Sequence, residues 1–131
     1  MDEITNRMKS DINDWKQSLG YMSDENILMK TRLSQMLQAK FDNNLLPQVE
    51  NLYTNLLSEE AFLNLLRHNI GELDNLIESE HSRLVNKNRF ENMYATLQSQ
   101  MTTVKIRLTH LKSEFNEFFQ QEEDLPHFGT E

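Results

Sequence analysis

The chain has 131 residues with 21 acidic and 13 basic side chains, which gives a formal net charge of −8. Three glycines and two prolines are too few for the many tight turns of a β-sandwich or barrel, and the absence of cysteine excludes disulfides and thiolate metal sites. No apolar run approaches the roughly 18 residues of a membrane span, and no leader-like segment opens the chain. We therefore expect a single cytoplasmic domain that has no contact with membranes.

The first predicted element is a long helix over residues 2–42. Apolar residues recur three and four positions apart along it, which is the spacing of helices that pack along one face. We call this row of residues the seam of the helix, and Asn26 is a polar member of it. Gly20 followed by Ser23 could end the helix and start another. Because the seam stays in phase through that stretch, we expect one continuous helix.

The second predicted helix covers residues 47–84. One aspartate and two asparagines at 42–44 indicate a helix end before it, and Pro47 falls in its first turn, where the missing N–H costs nothing. A second seam continues in phase along the whole segment. Glu59 is the acidic residue near the middle of that seam.

The third predicted helix covers residues 88–124. It follows a turn with two asparagines, a residue that tolerates the conformations of helix ends and turns. Its seam also runs in phase, and Pro126 ends it. We expect residues 126–131 to form a flexible tail.

The three seams match in length, so the helices can fold back on each other in register. A residue i of the first helix then lies near residue 88−i of the second, and a residue i of the second lies near 170−i of the third. This alignment brings seam residue to seam residue in all three helices. We therefore predict an all-α fold, an elongated up-down-up antiparallel three-helix bundle with coiled-coil-like packing, formed by residues 1–125.

Three nearly equal antiparallel helices with Trp15 in the first seam resemble the spectrin-type repeat over residues 1–122. The resemblance implies the bundle fold and no particular function, because one fold hosts many functions. The helices predicted here are longer than those of that repeat, and the chain has no tandem copy of the unit.

Charge is distributed in blocks along the chain. Residues 50–80 carry a net charge of −6, and residues 81–112 carry +5. We expect the two blocks to form neighbouring antiparallel helices whose complementary fields set their orientation. We expect no nucleic-acid binding, because the basic residues are sparse and no aromatic platform accompanies them.

Histidine and acidic residues are too scattered to predict a metal centre. A carboxylate-bridged di-metal site in a bundle needs Glu-x-x-His on two helices, and the chain offers one match, from Glu78 to His81. His68, which lies four residues before Glu72, and His110 both fall away from the seams. We expect no metal and no cofactor, and a metal- or small-ligand-binding bundle is the alternative function.

We also expect a protein that is not an enzyme, because the chain contains no cysteine nucleophile, no Gly-x-Ser-x-Gly motif and no glycine-rich phosphate loop. Glu59 has two interpretations. A buried carboxylate in the seam could act as a general acid or base. We instead expect Glu59 to reach Lys30 or Lys112 and to fix the register, as single polar seam residues do, and Asn26 has the same interpretation.

Apolar residues outside the seams indicate where a partner could bind. The bundle does not require them for its core, and the predicted register places those of the first two helices at the same height. They form either an interaction surface for a protein partner or for self-association, or the edge of a wider core. The spacing leaves both interpretations open. The function that we expect is that of a non-enzymatic protein acting through protein–protein interaction, as an adaptor, spacer or assembly subunit. The candidate residues are Tyr21, Ile27, Leu28, Leu57, Ala61 and Leu65.

Overall fold

A computed structural model describes residues 3–39, 43–79 and 87–124. These residues are almost entirely helical and include no strand. Helix α1 is Glu3–Gln38, a short 3₁₀ turn is Asn43–Leu45, helix α2 is Leu46–Glu78, and helix α3 is Lys87–Asp124. The described part of the chain is an all-α bundle of three helices, which confirms the predicted fold class.

Helix α1 is continuous through Gly20 and Ser23, as the unbroken seam predicts. It ends at Gln38, where the N–H of Ala39 donates hydrogen bonds of 3.1 Å to two carbonyl oxygens of the last turn. The predicted end at residue 42 falls in the segment 40–42, which lies outside the described residues. Asparagines compete with helical hydrogen bonds through their side chains, and here two of them occupy the 3₁₀ turn before α2.

Helix α2 begins with Pro47 in its first turn and has no side-chain hydrogen bond at its N-cap. It ends at Glu78, because Ser79 is extended and its N–H donates to the carbonyl oxygen of Asn75 at 3.1 Å. The acidic Glu78 opposes the helix dipole in this last turn, which contains no basic residue, so charge does not stabilise this helix end. The predicted end at residue 84 lies in the segment 80–86, outside the described residues.

The core consists of the three seams. Helix α2 packs closely against both other helices, whereas α1 and α3 approach each other at fewer positions. Burying a Leu, Ile or Val side chain contributes about 1.5–3 kcal/mol, so a row of such residues dominates the stability of each helix in the bundle. The side chains buried most completely are Ile12, Leu19, Leu33, Leu56, Leu63, Leu66, Ile70, Leu73, Ile77, Met101, Val49 and Val104.

Polar pairs between α1 and α2 show the register directly. The amine of Lys16 lies 2.7 Å from Asp74 Oδ2, and Lys30 forms an ion pair with Glu60. Between these layers, the guanidinium of Arg67 donates to the hydroxyl of a serine, Ser23, at 2.9 Å. Each step of seven residues along α1 is matched by seven residues back along α2. In each of these pairs, residue i of α1 lies beside residue 90−i of α2, which is two residues further along α2 than the predicted 88−i.

The acidic residues of α2 pair mainly with lysines of α1. Lys9 pairs with Glu78 in addition to the pairs above, whereas the link between α2 and α3 that the described residues show is the pair of Arg107 with Glu59. The acidic and basic blocks lie on the neighbouring helices α2 and α3 as expected, and the role of their fields in setting orientation stays a prediction. Such partly exposed pairs contribute little stability, and they act mainly on register.

Gly20 and Gly71 lie within helices but are not required for close packing. A Cβ atom added at either position would meet no atom within 4 Å beyond the local backbone. Alanine in a helix is more favourable than glycine because it restricts the unfolded chain. We expect Gly20→Ala and Gly71→Ala each to raise the free energy of unfolding by roughly 0.5–1 kcal/mol in urea denaturation. A loss of stability in either variant would contradict the open space described here.

Candidate functional site

The six candidate interaction residues all lie on the surface. The large side chains retain much of their exposed area, with fractions of 72% for Tyr21, 68% for Leu28, 52% for Ile27 and Leu65, and 45% for Leu57. Ala61 is also exposed. None of the six belongs to the buried core of the bundle. We call this set of six residues the apolar band.

The α2 part of the band is continuous. Leu57, Ala61 and Leu65 are successive i, i+4 neighbours, so they form a diagonal stripe across the outer surface of the helix. Leu65 also follows Phe62 by three residues, and Phe62 lines the contact with α3. The stripe therefore starts beside α1 at Leu57 and ends beside α3 at Leu65.

The α1 part of the band lies on both flanks of its helix. Ile27 precedes Lys30 by three residues, and Lys30 faces α2. Tyr21 and Leu28 are instead the i−4 and i+3 neighbours of Glu25, whose carboxylate lies 3.1 Å from Lys112 of α3. Ile27 is thus on the flank towards α2, and the other two residues are on the flank towards α3.

The structure brings Ile27, Leu57 and Ala61 together around the Lys30–Glu60 ion pair. Ile27 and Leu57 each precede a member of that pair by three residues, and because the helices are antiparallel they lie on opposite sides of it. Tyr21, Leu28 and Leu65 lie on the outer flanks at a similar height. The whole band occupies roughly 18 Å along the helix axes, at 1.5 Å per residue.

The interior of the bundle is polar at the same height. Glu59 keeps 7% of its side chain exposed, and Arg107 donates to its Oε1 atom from Nη2 at 2.9 Å and from Nε at 3.1 Å. The predicted partners of Glu59 are wrong. Lys30 pairs with Glu60 and Lys112 pairs with Glu25, so both amines have other partners.

Asn26 adds a second polar side chain to this level of the core. It is 1% exposed, and its Nδ2 atom donates a hydrogen bond of 3.0 Å to the carbonyl oxygen of Leu56. Its Oδ1 atom has no hydrogen-bond partner among the described residues. Buried polar groups cost free energy unless they are paired, so they favour the one alignment in which these bonds form. We call Asn26, Glu59 and Arg107 the central polar layer.

A shallow groove between α2 and α3 opens beside this layer. Its walls include Phe62, Ile106, Arg107 and His110. The guanidinium carbon of Arg107 lies 4.3 Å from the centroid of the Phe62 ring, so the cation is held between an aromatic face and the Glu59 carboxylate. Because the buried carboxylate is already paired with this cation, the arrangement has the character of a structural ion pair.

A polar contact that the sequence did not predict joins α1 and α3 near one end. The rings of Trp15 and Tyr94 stack with centroids 5.3 Å apart, and the Tyr94 hydroxyl donates a hydrogen bond to Asp11. Burial, followed by this hydrogen bond, raises the pKa of Tyr94 to about 12. The phenol is therefore protonated at neutral pH and acts as the donor. The available sequence signal was an aspartate four residues before the seam tryptophan.

The two histidines in the described residues, His68 and His110, do not converge with acids on one site. His68 Nε2 lies 3.1 Å from Glu72 Oε1 on the exposed surface of α2, and His110 is also exposed. His81 lies outside the described residues, so the match from Glu78 to His81 is not described. Within residues 3–39, 43–79 and 87–124, no three His, Asp or Glu side chains form a group that could hold a metal ion.

No helix in the described ranges has an apolar stretch long enough to span a lipid bilayer. Comparisons of the chain with protein-family models, with curated proteins and with solved structures found no match.

Substitution of Arg107 and substitution of Glu59 should have different effects on the free energy of unfolding. Arg107→Ala leaves the buried Glu59 carboxylate without its partner, so we expect the free energy of unfolding to fall by about 1–3 kcal/mol. Glu59→Leu extends the apolar seam and leaves Arg107, which is 45% exposed, in contact with water. We expect that variant to be neutral or more stable than the parent in urea denaturation. The opposite order of stability would show that the ion pair does not have the environment described.

Proposed function

We propose that this chain is a non-enzymatic, cytoplasmic helical-bundle protein that acts through protein–protein interaction at the apolar band, as an adaptor, spacer or assembly subunit. The observation that carries the proposal is the concentration of five large apolar side chains at one height on the outside of a bundle whose seams are already filled. The part of the band on the α1–α2 face, Ile27, Leu57 and Ala61, is the exposed apolar group that we assign to interaction, because exposed apolar patches are typical of interaction sites.

Other exposed apolar residues do not form a comparable group. Ile4 and Leu37 lie at opposite ends of α1, and Ile106 lies on α3. Single exposed apolar side chains are normal on protein surfaces and need no special explanation. The band differs because its members occupy a length of roughly 18 Å along two adjacent helices, and two of them, Ile27 and Leu57, flank the same ion pair.

The surroundings of the band favour a protein partner. Polar groups that a protein partner could contact lie among the apolar residues: the Lys30–Glu60 pair lies between Ile27 and Leu57, and Arg67 lies further along the same face. Nucleic acid is a poorer fit, because two cations of the basic α3 segment, Arg107 and Lys112, are each paired with a carboxylate of another helix. Binding to phosphate requires free positive charge.

The double substitution Leu57→Glu with Leu65→Glu tests this proposal. Both side chains are exposed, so we expect the variant to retain its helical circular dichroism and its thermal transition. Two new charges in an apolar interface should weaken association by roughly tenfold or more. The measurements are the molar mass in light scattering and the set of proteins captured from the native host, identified by mass spectrometry.

Ile106→Glu is the matched control, because Ile106 is 54% exposed and lies on α3 outside the band. We expect it to behave like the parent chain in both measurements. If the double variant also keeps the molar mass and the captured proteins of the parent, the band is not an interaction surface and the proposal is wrong.

A further inference from the structure

We infer that the part of the apolar band on the α1–α2 face, Ile27, Leu57 and Ala61, is covered by a second copy of this chain. The α1–α2 faces of two bundles would pack against each other with the long axes of the bundles aligned. The two-fold axis would run alongside the Lys30–Glu60 ion pair. This inference rests on the proposed function of the band and names its partner.

Charge complementarity selects this arrangement. Lys16 and Lys30 of α1 lie at the heights of Asp74 and Glu60 of α2. A two-fold axis parallel to the helices places α1 of one copy opposite α2 of the other. Every residue keeps its height along the axis. Each of these lysines would therefore face the matching acid of the second copy, and the charges at each level would alternate in sign.

The other simple way to pair the same faces is unfavourable. A two-fold axis perpendicular to the helices sets α1 against α1 and α2 against α2. It would place the lysine row of one copy against the lysine row of the other, and the acids against the acids. Like charges that face each other across an interface repel, so this orientation is electrostatically unfavourable.

Apolar contacts accompany the charges in the parallel arrangement. A two-fold axis parallel to the helices keeps every residue at its height, so Ile27 of one copy would face α2 of the second nearest to Ala61, with Leu57 about 9 Å further along the helix. One step of seven beyond Lys30 and Glu60, the register reaches Leu37, which is 42% exposed, and the half-buried Tyr53. An apolar layer therefore lies next to the central charges.

One layer of the α1–α2 face, that of Arg67 and Ser23, opposes formation of the dimer. Arg67 lies between the two lysine–acid layers and donates to Ser23 within its own chain. The proposed two-fold axis would bring the Arg67 side chains of both copies to the same height, and their charges would repel. Arg67→Ser should consequently strengthen the dimer by several-fold, although removing an arginine from most interfaces weakens binding.

Reciprocal charge reversal tests the inference with the full chain. Lys30→Glu and Glu60→Lys are prepared as two separate variants, and the molar mass of each is measured by sedimentation equilibrium over a wide concentration range. For the unmodified chain, we expect the mass to rise from 15.6 kDa towards twice that value. Each variant alone should associate at least about tenfold more weakly, because four like charges would meet at the two-fold axis.

An equimolar mixture of the two variants should recover association. The new carboxylate at position 30 of one variant would face the new amine at position 60 of the other, and the unchanged Glu60 and Lys30 would face each other as well. The ion pair within each chain is broken in the mixture as it is in the separate variants. Recovery can therefore come only from contacts between chains.

Glu25→Lys and Lys112→Glu form the matched control. This pair joins α1 to α3 away from the proposed interface, and its side chains are 41% and 52% exposed. We expect neither variant to change the association of the chain, and we expect their mixture to behave like the components.

The outcomes separate this inference from the proposed function. A mass of 15.6 kDa at every concentration, or a charge-reversed mixture that does not recover, would overturn the homodimer. If the chain is monomeric but Leu57→Glu with Leu65→Glu loses captured proteins, the inference fails and the function of the band stands. If that variant changes neither property, both are wrong.

Discussion

The register between α1 and α2 is the constraint on which the rest of the structure depends. Lys16 with Asp74 and Lys30 with Glu60 repeat at matched steps of seven, so both helices present the same face to each other along the described length. The hydrophobic effect selects which faces meet, but it is non-directional and tolerates sliding. The polar pairs and the bond from Asn26 to the Leu56 carbonyl oxygen define the axial position. Once that axial position is set, the neighbours of each surface residue on the adjacent helix are set as well.

The middle of the bundle combines a polar interior with an apolar exterior. Glu59 and Arg107 occupy space that apolar residues fill elsewhere in the seams, while Ile27 and Leu57 lie outside at the same height. A buried ion pair contributes specificity of alignment more than stability, because desolvation of the charges offsets their attraction. The exposed residues cost solubility unless another surface covers them. The central polar layer, which fixes the alignment of the helices, and the apolar band, which we assign to association, therefore lie at the same height in the bundle.

Most of the fold could be predicted because one physical signal, the spacing of apolar residues, determines both helix and core. The exposure of Leu57 and Leu65 followed from the same spacing, since residues outside the seam turn away from the core. The partner of Glu59 did not follow, because several cations lie near its height and only side-chain geometry distinguishes Arg107 from Lys30. The partners of the individual acids of α2 did not follow from the charge blocks either. Net charge per segment does not say which flank of α2 each acid occupies, and the flank decides whether its partner is on α1 or α3.

Distances between pairs of nitroxide labels test the account most directly, and the absence of cysteine allows labels at introduced cysteines without other changes. One chain carries Ile27→Cys with Leu57→Cys and another carries Tyr21→Cys with Leu65→Cys, each diluted with unlabelled chain so that only distances within a chain are recorded. Both pairs join α1 to α2 at similar heights, but the first lies beside the contact between these helices and the second lies on their far flanks. The account predicts that the first distance is shorter by roughly one helix diameter, about 10 Å. Equal distances, or a shorter distance for the second pair, would contradict the register and the placement of the apolar band.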